Sequence, residues 1–180
     1  MRATLENTAC LVIDMQENLF PHMYNRHKLE KNCQKLLSGL SVLNIPIVTT
    51  EQYRKGLGPT IKQIRKRITD FDPIEKISFS CCHNDTFRKR LKDTGKRMII
   101  ICGIESHVCV LQTVIDLIEL GYQPLVIDDC VSSRKKSDKK TALRRMEQER
   151  ALITSYESVL FELCEKAGTE EFKAILKLVK

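Results

Sequence analysis

Four short apolar runs punctuate the chain: Ala9–Met15 (ACLVIDM), Ile45–Thr49 (IPIVT), Met98–Cys102 (MIIIC) and Pro124–Ile127 (PLVI). They are rich in β-branched residues and continuous rather than alternating, the pattern of strands buried on both faces. Helical stretches lie between them. Leu29–Leu43 places Leu29, Cys33, Leu36, Leu37, Leu40 and Leu43 on one face. Asn84–Thr94 begins at a capping residue and stops at Gly95. His107–Leu120 is apolar at Val110, Leu111, Val114, Leu117 and Ile118 and ends at Gly121, and Ser137–Arg150 is a basic helix. A short late strand, Leu152–Thr154, precedes helices over Ser158–Cys164 and Glu170–Val179.

Strand–helix alternation of this kind predicts a doubly wound, mostly parallel sheet with helices on both faces, a Rossmann-like three-layer sandwich. The 180 residues suit one domain spanning 1–180. Sites in such sheets lie beyond the carboxyl ends of the strands, so the residues that follow each apolar run carry the most information. Glu51–Cys82 is the longest stretch without a strong element and is where functional loops are expected.

Composition adds exclusions. Apolar residues at 42% and charged residues at 29% describe an ordinary globular protein, not a disordered one. No apolar run approaches the ~18 residues of a transmembrane helix. Met1–Thr8 lacks an apolar stretch, so no secretory signal is expected there. The eight cysteines form no Cys-x-x-Cys and no paired Cys/His spacing, so neither a zinc site nor another cofactor is expected. Reduced thiols fit a cytoplasmic location. The net charge of +7 raises the question of a nucleic-acid partner. Basic residues alternate with acids along most of the chain. The one basic cluster, Arg134 to Arg145, reads as a solvated helix face, and a small-molecule substrate is the expected partner.

Three strand-end residues are candidates for chemistry. Asp14 closes the first apolar run, where a carboxylate is costly to bury unless paired, and it reads equally as a structural acid. After the Met98–Cys102 run comes Gly103-Ile104-Glu105-Ser106-His107-Val108-Cys109. With Ser106 as N-cap, Cys109 would sit in the first helical turn, where the helix dipole and free N–H groups favour a thiolate. The alternative is a buried structural thiol like Cys10 or Cys102. Lys76, just before Ile77-Ser78-Phe79-Ser80, is either an exposed lysine or a desolvated one able to pair with an acid and tune a thiol. His107 reads as a structural or interface residue, and Cys81 and Cys82 as packing thiols near the site's rim.

LVIDMQENL (11–19), TTEQYRKGLGPT (49–60), KISFS (76–80) and GIESHVCVLQT (103–113), in this order, resemble the isochorismatase-like hydrolases, and most closely the subgroup of isochorismatase domain-containing proteins. The resemblance spans most of the chain. It implies Cys109 as nucleophile, Asp14 as general base and Lys76 as the third member of the set. It also implies a non-proline cis peptide at Ile104–Glu105 beside the oxyanion donors. Gln16, Gln52, Tyr53, Leu57 and Phe79 are the expected pocket residues. Nicotinamidases of the superfamily carry a metal-binding Asp-x-His where this chain has Glu51-Gln52-Tyr53, so no metal is expected. Isochorismate hydrolases resemble a version with glycine at the position of Cys109, so the cysteine points to acyl chemistry on an amide-like C–N bond. The family also implies a homo-oligomer. The rival from another class is a binding protein that keeps the pocket without turnover.

Overall fold

The structure, a computed structural model, describes residues 2–180. Six strands form one sheet: β1 (Thr8–Ile13), β2 (Ile47–Gln52), β3 (Ile74–Lys76), β4 (Met98–Ile104), β5 (Gln123–Ser132) and β6 (Leu152–Thr154). The order is β3-β2-β1-β4-β5-β6, and every pairing is parallel. The chain winds outward from β1 through β2 to β3, then returns to β4 on the other side of β1. The winding therefore reverses between β1 and β4, and a crevice opens at their carboxyl ends, where Asp14 follows one strand and Glu105 the other.

The α-helices are α1 (Arg26–Val42), α2 (Arg54–Leu57), α3 (Lys62–Arg65), α4 (Asp85–Asp93), α5 (Leu111–Glu119), α6 (Lys136–Gln148), α7 (Tyr156–Cys164) and α8 (Glu170–Val179). Strand β1 explains the three layers. Cys10 and Val12 point to one side, into a core with Leu29, Cys33, Leu36, Leu37 and Leu40 of α1, Leu160 of α7 and Ile175 of α8. Ala9, Leu11 and Ile13 point to the other, against Phe87 and Leu91 of α4, Val114 and Leu117 of α5, and Met146 of α6. Both faces of one strand are apolar because both are covered. Side chains cap the starts of α4 and α8: Asn84 accepts from the Phe87 N–H at 2.9 Å and Thr169 from the Phe172 N–H at 3.1 Å.

Two parts of the sheet differ from the sequence reading. β5 runs past Ile127 to Ser132, because the pairing with β4 breaks register after Ile101↔Val126 and resumes at Gly103↔Val131. The break takes Asp128 and Asp129 out of the ladder. β3 was not anticipated at all. It is an edge strand of three residues with an exposed glutamate between two buried side chains, too short to register as a run.

Gly103 of β4 pairs with Ile13 at the end of β1. Its φ is +121°, and a Cβ there would lie 2.1 Å from the Ile13 carbonyl oxygen. Only glycine lets the two strand ends, and the residues that follow them, come this near. Among the described residues, no helix is long and apolar enough to cross a membrane.

Candidate active site

Asp14 is the first residue after β1. Its φ of +51° is unusual for a side chain other than glycine. Its N–H donates to the Thr50 carbonyl at 3.2 Å. The carboxylate is wholly buried. Oδ2 accepts from Lys76 Nζ at 2.7 Å, and Oδ1 accepts from Thr50 Oγ1 at 2.8 Å.

Lys76 ends β3 and is 2% exposed. Its ammonium also donates to the carbonyls of Ser78 at 3.1 Å and Phe79 at 3.0 Å, so all three of its protons have acceptors. Burial alone would pull the lysine's pKa down. Asp14, Cys81 and Cys109 outweigh that and hold it above the usual value, so the group is an ammonium ion.

Cys109 is 4% exposed, and its Sγ donates to Gln52 Oε1 at 2.9 Å. The Asp14 carboxylate is near enough for its charge to act on the same thiol. Burial first, then the Asp14 charge, push the Cys109 pKa well up, with Lys76 opposing. The expected helix-tuned thiolate is thus not the resting form. There are two physical reasons. The sulfur faces a carboxylate and an amide oxygen, both of which favour the protonated thiol. The backbone around it is a π-turn over Ser106–Val110, and α5 starts only at Leu111. Ser106, expected as the N-cap, keeps its hydroxyl buried without a partner.

The fold therefore brings Asp14, Lys76 and Cys109 together from the ends of β1, β3 and β4. The Ile104–Glu105 peptide is cis. Glu105 Oε1 accepts from Arg134 at its backbone N (3.2 Å) and its Nε (3.0 Å), and His107 Nδ1 lies 2.9 Å from Ser133 Oγ. Both contacts tie the cysteine turn to the end of β5.

The expected pocket residues separate into two sets. Gln16 is fully buried and acts as a clamp. Its Nε2 donates to the carbonyls of Gln52 (3.0 Å) and Gly58 (2.7 Å), and its Oε1 accepts the Gln52 N–H at 2.7 Å. Gln52 Nε2 donates to the Ile77 carbonyl at 3.2 Å, which turns Oε1 toward the cysteine. Tyr53 at 51%, Phe79 at 51% and Ile77 at 71% exposure are large side chains open to solvent on the segments that follow β2 and β3, and Leu57 is partly buried at the end of α2. It is the Phe79 carbonyl, not its ring, that reaches Lys76. Glu51 spends Oε1 on the Thr60 N–H (2.7 Å) and hydroxyl (2.8 Å) and faces Arg54 Nε at 3.4 Å. Among the described residues, no group of three or more His, Cys, Asp or Glu is arranged to hold a metal ion.

Sequence reasoning passed over Thr50 and undervalued Cys81. Thr50 is wholly buried, and its Oγ1 lies 3.7 Å from Cys81 Sγ. The signal was the one used for Asp14, a polar residue closing an apolar strand.

A wholly parallel three-layer sheet with a paired carboxylate, lysine and thiol at its switch point defines a class of α/β proteins with a hydrolase-like centre. Comparison with known proteins narrows it. The isochorismatase domain matches residues 8–158. A protein of Phytophthora sojae named secreted isochorismatase effector Isc1 is 36% identical over 97% of this chain and 85% of its own length. Isochorismatase domain-containing protein 2 of Danio rerio is 35% identical over 99% of this chain and 89% of its own. A solved structure described as MAR1 ribonuclease from Caenorhabditis elegans superposes with a TM-score of 0.93 at 34% identity, over 99% of this chain and 92% of that one. The chain belongs to the isochorismatase family, a group of hydrolase-fold proteins, and resembles its isochorismatase domain-containing members.

Proposed function

We propose that the protein is a metal-independent cysteine hydrolase of a C–N bond in a small amide-like molecule, working through a Cys109 acyl-enzyme. The observation that carries this reading is the buried Asp14–Lys76 pair, 2.7 Å apart, set beside a buried Cys109 thiol that feels the Asp14 charge. Because the thiol rests protonated, its proton passes to Asp14 as the sulfur attacks the carbonyl carbon. The carbonyl π electrons move to oxygen, and N–H groups of the Glu105–Cys109 turn receive the oxyanion. Collapse breaks the C–N bond, and the amine leaves with the proton from Asp14. Asp14 then takes a proton from water, which attacks the thioester. The acid departs, and the thiol regains its proton. Lys76 moves no proton; its ammonium stays paired with the Asp14 carboxylate between steps. Gln52, Tyr53, Leu57 and Phe79 border the substrate. The exposed side chains of Tyr53, Ile77 and Phe79 support a homo-oligomer in which a second copy covers them. All eight cysteines are free, which supports a reducing, cytoplasmic setting.

A second reading, RNA cleavage, is favoured by the likeness to the structure described as a ribonuclease and by the charge of +7. Against it, Lys139 is paired with Asp128 at 3.0 Å and Arg145 faces Glu149 at 3.5 Å, so part of the basic helix is already neutralised. One panel tests both readings: small primary amides and a single-stranded RNA, each with wild type, Cys109→Ala and Asp14→Asn. Amide turnover that falls by about 1,000-fold or more in both variants is expected, the scale of losing a catalytic group. RNA cleavage that depends on Cys109, with no amide turnover, would replace the first reading by the second. Ligand binding without any turnover would make the chain a binding member of the family.

A further inference from the structure

Thr50 touches Asp14 twice and no expectation placed it in the site. It accepts the Asp14 N–H at its carbonyl and donates its hydroxyl to Oδ1. We infer that Thr50, with its hydroxyl direction set by Cys81, is a positioning residue that fixes the Asp14 carboxylate for proton transfer from Cys109. This rests on the proposal that Asp14 is the base.

Counting protons gives the direction of the chain. A threonine hydroxyl has one proton, and here it goes to Asp14. The 3.7 Å contact between Thr50 Oγ1 and Cys81 Sγ must then run from the thiol to the oxygen. Cys81 has the proton to give: burial and the nearby Asp14 charge push its pKa up to about 11, with Lys76 opposing. Its own backbone N–H donates to Thr113 Oγ1 of α5 at 3.0 Å, which pins the residue to the helix layer. Cys81, Thr50 and Asp14 thus form one directed line from the helix layer to the base.

The line matters because Asp14 has few other restraints. Its backbone is in a sparsely populated conformation, and the ladder register Ile13↔Thr50 puts Thr50 directly beside its entry. Lys76 occupies Oδ2 only. Without the Thr50 hydroxyl, Oδ1 would be a buried acceptor with no donor from this strand. The carboxylate would turn toward other donors and hold a proton more readily.

The test uses acetylation of Cys109 by p-nitrophenyl acetate, followed as nitrophenolate release in single turnover across the pH range. Thr50→Val keeps the shape and removes the hydroxyl. It is expected to slow the saturated acylation rate about 10- to 100-fold, the scale of one hydrogen bond to a charged group. The half-saturating ester concentration should hold, and the acid limb of the profile should move to higher pH. Thr50→Ser is expected to restore rate and profile, and Cys81→Ala to fall between wild type and Thr50→Val. A merely structural threonine would lower the active fraction without moving the acid limb. If Asp14→Asn abolishes acylation while Thr50→Val keeps the wild-type rate and profile, the inference is overturned and the base assignment stands. If Asp14→Asn itself acylates normally, the underlying reading fails instead.

Discussion

Lys76→Met removes the cation paired with the buried Asp14 carboxylate, and its cost can be worked from the contacts. The side chains of Lys76 and Asp14 are 1% and 0% exposed, so solvent screens neither. Breaking a buried pair by deleting one partner costs about 3–5 kcal/mol, because the remaining charge is uncompensated. The Ser78 and Phe79 carbonyls lose a donor in the same step, which sets the cost toward the upper end. Against a typical domain stability of about 5–15 kcal/mol, the variant should fold but melt in far less urea. Asp14→Asn alone strands the ammonium. The double variant strands neither charge and should lie above the sum of the two single losses by about 1–3 kcal/mol. Urea denaturation of the four proteins measures this. Strictly additive losses would show that the two groups do not act as an ion pair.

Two further outcomes follow from the fold. Gly103→Ala forces a Cβ to within 2.1 Å of a backbone oxygen that cannot swing aside. Strain and overpacking together come to about 3–5 kcal/mol, and Tm should fall by roughly 10 °C or more. Gly121→Ala, also at positive φ but with nothing within 4 Å of its Cβ, is the control and should lose much less; equal losses would contradict the close β1–β4 approach. The exposed Ile77 and Phe79 predict self-association by sedimentation equilibrium, reduced in Ile77→Lys; a wild-type monomer at every concentration would refute their cover by a second copy.

What could be read along the chain was what depends on local pattern. β1, β2 and β4 are continuous apolar runs, and Asn84 is a cap visible in one dimension. The switch point followed from alternation, and it directed attention to Asp14 and Cys109. β3 escaped because Ile-Glu-Lys is an edge strand with one exposed position, and its existence depends on pairing with β2. The state of the Cys109 thiol was misjudged for a related reason. Sequence places the cysteine near a helix start, but not the 2.9 Å approach of Gln52 or the flank of Asp14, which come from strands far away in the chain. Thr50 closes an apolar run as Asp14 does, but its task comes from register with Ile13, which the run alone does not give. Gln16, expected to meet substrate, meets three backbone groups instead, because the Gln16↔Thr60 bridge folds the loop over it.

The central claim is that Cys109 becomes acylated with Asp14 as its base. The direct measurement is acid quenching during reaction with p-nitrophenyl acetate, followed by peptide mass mapping of all eight cysteines. The account predicts an acetyl thioester on Cys109 in the wild type and none in Asp14→Asn. Acetyl groups found on Cys81 or another cysteine while Cys109 stays free, or equal acetylation of Cys109 in Asp14→Asn, would contradict it.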